Sequence, residues 1–352
     1  MKWCRSCILP DTRPGIVLNS EGDCEACVNI GKKTEEIDWV QRENEFLQLV
    51  ESVKSDDRGY DCLVPVSGGK DSTWQIIKCL EVNLKPLALT WKTPGRTTIG
   101  QCNLDNLVSL GVDHIDWQVN PAVEKKFMLK SFKKYGSTAI PMHMAIHSMP
   151  LKIAVNMEIP LVIFGENAAF EYGSGGDDSL TGYSLDSNWR KKFGVTHGTT
   201  ARDWIHEDLS EKDMTPYFGP TDQELENQNI KAIFLGHYFK WDVQESLKVA
   251  SNHGFITGNE ARTGIYDFAD IDDDFISIHH WMKWYKFGIT RSFDNLSLEI
   301  RNGRINREDA INIITELGEE KPVKDINALC QYLDIKEVEF MQIANKHRNQ
   351  DI

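Results

Sequence analysis

Residues 66–72 read Val-Ser-Gly-Gly-Lys-Asp-Ser, between an apolar run, "CLVPV" at 62–66, and a helix-forming one, "STWQIIKCL" at 72–80. A strand that ends in a Gly-Gly turn and continues as a helix aims several backbone N–H groups at one point, and such a nest binds anions. Gly68 and Gly69 let the main chain approach a phosphate closely, and Ser67 and Ser72 add hydroxyl donors. The spacing is not GxxxxGK[ST], because Asp71 follows Lys70, and it is not GxGxxG. This segment constrains the chain to a strand–loop–helix unit with an anion at the carboxyl end of the strand.

The pattern continues on both sides. Strands are expected at 62–66, 86–91, 114–119, 161–164 and 232–235. Helices are expected directly after the loop and around 101–110, 122–134 and 143–157, and the charged stretch 32–58 reads as a lead-in helix. Continuous apolar strands separated by helices predict a doubly wound α/β fold with a mostly parallel, five-stranded sheet. Ligands of such sheets sit at the carboxyl ends of strands. Two of these ends are informative: Gly165-Glu166-Asn167 after "LVIF" and Gly236-His237 after "AIFL". The stretch 168–230 exceeds what one crossover needs, so it is expected to be a substrate-facing insertion, with Phe170, Tyr172, Asp177 and Asp178 as candidate contacts. A solvated acidic loop would explain the two aspartates equally well.

Four of the eight cysteines fall as Cys4-x-x-Cys7 and Cys24-x-x-Cys27, with 16 residues between the pairs. Two CxxC pairs joined by turn-rich sequence suit a closed tetrahedral zinc site of ribbon or knuckle type, structural rather than catalytic. An unmetallated pair of turns is the alternative. Cys62 and Cys79 read as small core residues. The chain is expected to divide into this module at 1–35, a loop-bearing α/β domain at 36–240 and a helical, aromatic-rich region at 241–352.

Charge narrows the partners. Lys plus Arg number 39 against 53 Asp plus Glu, a net charge of −14. A polyanionic partner such as tRNA calls for a basic surface, so no nucleic acid is expected. The N-terminal "MKWCRSC" has no apolar core of a signal peptide, and no run is long enough to span a membrane. A cytoplasmic location, where thiols stay reduced, is expected. Arg291, Arg301, Arg304 and Arg307 hint at an acidic group on the substrate, although surface ion pairs are the ordinary role of any single arginine. His143 and His147, four apart on a predicted helix, lack the intervening glutamate of a zincin and read as structural.

The loop "VSGGKDS" resembles the PP-loop of the ATP pyrophosphatases, which cleave ATP between the α and β phosphates. Taken with the cysteine pairs, "NLDNL", "IFGENAAFEYG", "FLGHYFKWD" and "LEIRNGRINREDA", the chain resembles the N-acetyl sugar amidotransferases of bacterial surface-polysaccharide biosynthesis, of the pseudaminic and legionaminic acid and lipopolysaccharide O-antigen types. The resemblance spans nearly the whole chain. It implies that the acetamido group of an N-acetyl sugar or sugar nucleotide becomes an acetamidino group, with AMP and pyrophosphate released. It also implies ammonia supplied by separate glutaminase and cyclase-like subunits, and no convincing glutaminase nucleophile is visible in this chain. ATP with Mg²⁺ and a structural Zn²⁺ are the expected cofactors. Ser67 to Ser72 would hold the pyrophosphate. Lys70 would add positive charge, Asp71 would hold Mg²⁺ or fix the loop, and Glu166 would orient the acetamido group or take a proton. Gly165, Glu166, Asn167 and Tyr172 are the expected substrate contacts.

Two other readings use the same residues. A tRNA thiolation enzyme also combines a PP-loop with cysteine pairs, but it needs a sulfur-carrying cysteine near the site and a basic face. A nucleotide-binding scaffold without turnover would also use the loop.

Overall fold

A computed structural model describes residues 1–55, 57, 59–167, 171–172 and 185–350, without the side chains of residues 32 and 34. Five strands form one all-parallel sheet: β1 (Cys62–Pro65), β2 (Pro86–Trp91), β3 (Asp113–Trp117), β4 (Leu161–Phe164) and β5 (Lys231–Phe234), in the order β3-β2-β1-β4-β5. Each expected strand is present within a residue or two of its predicted bounds. Because strand side chains alternate between faces, neighbouring residues go to different cores. Val64 and Ile163 pack with Phe46, Ile76 and Leu104 on one face. Leu63 and Val162 pack with Phe127, Met144 and Met149 on the other. At one edge, β3 carries Asp113 and Asp116, whose charges discourage further pairing.

The chain builds β1, β2 and β3 outward in one direction, then returns to place β4 on the far side of β1. The connections after β1 and β4 therefore diverge, and a crevice opens between the two strand ends. The loop at 66–72 leaves β1 into α3 (Lys70–Glu81) at this point. The expected helices follow as α4 (Thr98–Ser109), α5 (Pro121–Tyr135) and α6 (Ile140–Met157). Asn120 caps α5, with Pro121 in its first turn and left-handed Gly136 at its end.

Two expectations change. The lead-in helix is two helices, α1 (Glu25–Glu35) and α2 (Trp39–Val53), because the Asp38 side chain accepts from Gln41 N–H and starts a new helix. The region after 240 is helical except where it matters most: between Asn252 and Ile276 no helix forms. That segment folds back over the β2–α4 connection, where Asp274 N–H donates to Gly95 O at 2.7 Å and Thr97 N–H to Asp272 O at 3.1 Å. Among the described residues, no helix is long and apolar enough to cross a membrane.

The cysteine module shares its core with the C-terminal helices. Ile8, Leu9 and Ile16 pack with Ile289, Phe293, Leu296 and Ala310. Arg307 Nε donates to Cys7 O at 3.1 Å.

Gly100 tests the fold-back. A Cβ there would lie 2.6 Å from Asp272 Cα. Helix propensity alone favours Gly100→Ala by about 1 kcal/mol, whereas overpacking costs about 1–3 kcal/mol. The variant should unfold at a lower temperature than wild type; a raised Tm would contradict the close packing of the 270s segment on α4.

Candidate active site

The 66–72 loop is shaped by its own side chains. Gly68 has φ +89°, and a Cβ there would lie 2.7 Å from the Leu104 backbone nitrogen, so only glycine fits. Ser67 N–H donates to Ser72 Oγ at 3.2 Å, Gly69 N–H to Ser67 Oγ at 3.2 Å, and Ser72 Oγ to Gly69 O at 3.1 Å. Lys70 is buried, with its ammonium 2.5 Å from Asp71 Oδ2. The other oxygen, Asp71 Oδ1, accepts from the Trp241 indole N–H at 3.0 Å.

Two cavities meet at the loop. The larger, about 430 Å³, runs from the ends of β1 and β2 to α6, and Gln75, Thr90, Arg96, Met142 and Met149 are in its wall. The smaller, about 160 Å³, lies beside Lys70, Tyr172, Trp241, Tyr266, Phe268 and Arg291. Ser67, Asp71, Glu166, Asp270 and Asp272 line both. The larger cavity is in the size range of small-molecule sites.

The carboxylates of this wall differ in charge. Burial, and then the neighbouring Asp71, push Glu166 up to about 7. Burial likewise raises Asp272, and pushes Asp273 up to about 7. Burial alone would raise Asp270 too, but the Arg291 guanidinium holds it well below the usual carboxylate range. The wall thus combines a fixed anion with groups that change protonation near neutrality, the combination that proton-transfer chemistry uses. Buried Gln75 Oε1 has no hydrogen-bond partner.

Of the residues singled out in the sequence, the loop residues 67–72, Glu166 and Tyr172 come together here. Tyr172 has Arg13 and Arg291 over its ring, each 6.0 Å from the centroid. Gly165 supports the wall from behind: a Cβ there would be 2.5 Å from Gln75 Nε2. Asn167 is buried, and its carbonyl accepts from Glu171 N–H at 3.0 Å. His237 faces Arg42, whose Nη1 lies 3.1 Å from His237 Nδ1 and donates to His237 O at 2.7 Å. Phe170, Asp177 and Asp178 lie outside the described residues.

The four arginines separate. Only Arg291 of the four lines either of the two cavities at the loop. Arg304 pairs with Glu299 and Asp242, Arg307 holds Cys7 O, and Arg301 holds Glu171 O. Carboxylates take up the guanidinium of Arg304, and backbone carbonyls accept from Arg301 and Arg307. His143 and His147 stack at 6.4 Å and continue through His279 to His280. Burial pulls His143 down to about 3 and His147 and His280 to about 4, so these rings are neutral.

Sequence reasoning missed Asp270, Asp272, Trp241 and Tyr266. The acidic run "DFADIDDD" at 267–274 was the available signal, but nothing local says that it returns to the first strand.

The cysteines form a second centre. The four sulfurs lie within 4.8 Å of one another, with Cys4–Cys27 at 3.9 Å and Cys7–Cys24 at 3.7 Å. Tetrahedral Zn²⁺ with Zn–S of about 2.3 Å has sulfurs about 3.8 Å apart, so the set fits that ion. Backbone N–H groups of Cys7 and Cys24 point at Cys4 Sγ from 3.4 and 3.2 Å, as a thiolate requires. Among the described residues, no other group of three or more His, Cys, Asp or Glu side chains converges in this way.

A family model described as LPS biosynthesis protein WbpG-like, C-terminal domain, matches residues 262–352, which include Asp270, Asp272 and Arg291 of the cavity wall. No curated protein matches the chain. Among solved structures, the NMN synthetase from Francisella tularensis is similar over 81% of this chain and 96% of its own, at 10% identity and a TM-score of 0.37.

The cysteine centre makes a direct prediction. Cys24→Ser should reduce bound zinc from about one ion per chain to well below it, and lower the Tm in parallel. Elemental analysis and calorimetry decide; wild-type zinc content with unchanged melting would refute a structural metal.

Proposed function

We propose that this chain is an ATP-dependent N-acetyl sugar amidotransferase of bacterial surface-glycan biosynthesis. One observation carries the reading: the 66–72 loop shares a cavity wall with Glu166 and with acids from the stretch that matches a lipopolysaccharide-biosynthesis family.

An amide carbon is a poor electrophile, and its oxygen is a poor leaving group. In the proposed reaction, the acetamido oxygen attacks the α-phosphorus of ATP and the bond to the β-phosphate breaks. Pyrophosphate leaves into the N–H groups of the loop, which are fixed in place before charge develops. The imidate formed carries AMP on its former amide oxygen. Ammonia nitrogen then attacks the imidate carbon, the C–O bond breaks with AMP as the leaving group, and one nitrogen proton must be removed. Glu166, with a pKa near neutrality, is suited to accept it. Lys70 offers charge to the departing phosphates, and Asp71, held by Lys70 and Trp241, sets the loop. Mg²⁺ bound with the nucleotide would offset phosphate charge, but the cavity acids do not converge on one point and no step is assigned to it. Water must be kept out, because hydrolysis of the imidate returns the amide. Ammonia is mostly protonated at neutral pH, so delivery from glutaminase and cyclase-like subunits completes the proposal.

The test measures AMP and pyrophosphate from ATP and ammonium salt across a panel of N-acetyl sugars and sugar nucleotides, with mass spectrometry of the sugar. Exchange of O for NH on one sugar supports the reading. AMP formed only with tRNA and a sulfur donor would replace it with base thiolation. Asp71→Ala should abolish AMP formation and leave zinc content intact.

Glu166 adds a pH signature. Below about pH 7 its carboxyl is protonated and accepts nothing, so at constant free ammonia the rate should rise with pH through that value. Glu166→Gln should lower the rate by about 100-fold or more and remove this limb. An unchanged limb in the variant would exclude Glu166 as the base.

A further inference from the structure

The cysteine module reaches the anion loop through two side chains. α1 starts at Glu25, inside the Cys24-x-x-Cys27 turn, and carries Lys33 near its far end. The Lys33 side chain is 4% exposed. Its ammonium donates to Glu171 Oε1 at 2.6 Å, Glu171 Oε2 at 2.9 Å and Trp241 O at 2.9 Å. These three contacts match its three donors. Trp241 then reaches the other way, donating its indole N–H to Asp71 Oδ1 at 3.0 Å. Both lysines approach its ring, Lys33 Nζ at 5.9 Å and Lys70 Nζ at 5.5 Å from the centroid. Arg301, whose charge is felt by the cysteine sulfurs, makes a parallel link by donating to Glu171 O at 3.2 Å.

A buried ion pair is a poor source of net stability, because desolvation offsets most of its attraction. What it does supply is fixed geometry. The elements fixed here are the metal module, the segment after β4, and Trp241 after β5, and these converge on the loop.

We propose that the cysteine module is a working part of the nucleotide site: Lys33 and Trp241 are positioning residues through which a metal bound at Cys4, Cys7, Cys24 and Cys27 sets the affinity of the 66–72 loop for a nucleoside triphosphate. The inference rests on the reading of that loop as a phosphate site. With metal bound, Cys24 and Cys27 hold the N-terminal turn of α1, Lys33 holds Trp241, and Trp241 holds Asp71 with its partner Lys70. The loop is then set before phosphate arrives, so binding does not have to order it. Without metal the four sulfurs lose their common centre, α1 loses its anchor, and Asp71 can turn from Trp241 toward solvent.

The experiment is calorimetric binding of a non-hydrolysable ATP analogue with Mg²⁺ to three forms of the full chain: zinc-loaded wild type, wild type stripped by a chelator under reducing conditions, and zinc-loaded Trp241→Phe. Stripping should weaken the analogue by about tenfold or more, and zinc should restore it. Trp241→Phe leaves all charges in place and removes one hydrogen bond to a carboxylate together with part of a buried ring. It should keep full zinc content and weaken the analogue by about tenfold, beyond the modest fall in Tm that the smaller ring causes. A residue with a merely structural role would move the Tm and not the affinity. If stripping unfolds the chain, Trp241→Phe alone decides. Equal affinity in wild type and Trp241→Phe overturns the inference and leaves the phosphate reading in place. No binding to zinc-loaded wild type overturns both.

Discussion

Everything at the site depends on the parallel pairing of β1 with β4 while β2 and β3 lie on the opposite side of β1. Strands that share a direction end at the same edge, and a reversal of strand order there sends the two following connections apart. Backbone donors after β1 are thus left without a neighbouring connection to cover them. Gly68 makes this opening close to the sheet, because its positive φ and its contact with Leu104 admit no side chain. The serine hydroxyls hold the turn in one shape by accepting from the Ser67 and Gly69 N–H groups, so the loop has little freedom to lose.

A crevice of this kind still needs walls, and long-range contacts provide them. The 270s segment has no regular structure of its own. It is held by backbone hydrogen bonds to Gly95 and Thr97 and by the absence of a side chain at Gly100. This places Asp270 and Asp272 opposite Glu166, from a part of the chain more than a hundred residues later. Buried acids repel, and the repulsion is contained in two ways. Asp270 is paired with Arg291 and faces His280, whereas Glu166 and Asp273 are raised toward neutrality by burial and can hold their protons. The same desolvation that makes these acids costly to ionise would suit Glu166 to the proton transfer proposed for it.

How much of this was legible in sequence follows from range. The strands and the loop were readable because apolar runs such as "LVIF" and the Gly-Gly turn encode local geometry. The cysteine pairs were readable because CxxC spacing is itself local. The break between α1 and α2 was missed although Asp38 is an ordinary N-cap, since the surrounding charges favour helix on both sides. Asp270, Asp272, Trp241 and Lys33 were not readable as site residues. Their roles come from packing between elements far apart in the chain, and an acidic run or a lone lysine looks the same on a solvated surface. The arginines were ambiguous for the same reason: a guanidinium suits any oxyanion, and Arg301, Arg304 and Arg307 meet Glu299, Asp242 and backbone carbonyls whereas Arg291 lines the smaller cavity.

The arrangement is also compatible with the proposed phosphate site in a chain this acidic. Net charge acts through the long-range field, which salt screens over about 8–10 Å. A bound phosphate is governed instead by the groups in contact with it, and at this loop those are backbone N–H dipoles and the buried ammonium of Lys70. Asp71 partly neutralises that ammonium while the site waits, and Trp241 keeps the carboxylate to one side. On the proposed reading, an arriving phosphate would compete with Asp71 for the same lysine protons. The ion pair avoids a bare buried cation, and a bound phosphate would gain a charge-assisted contact without importing positive charge from the rest of the molecule.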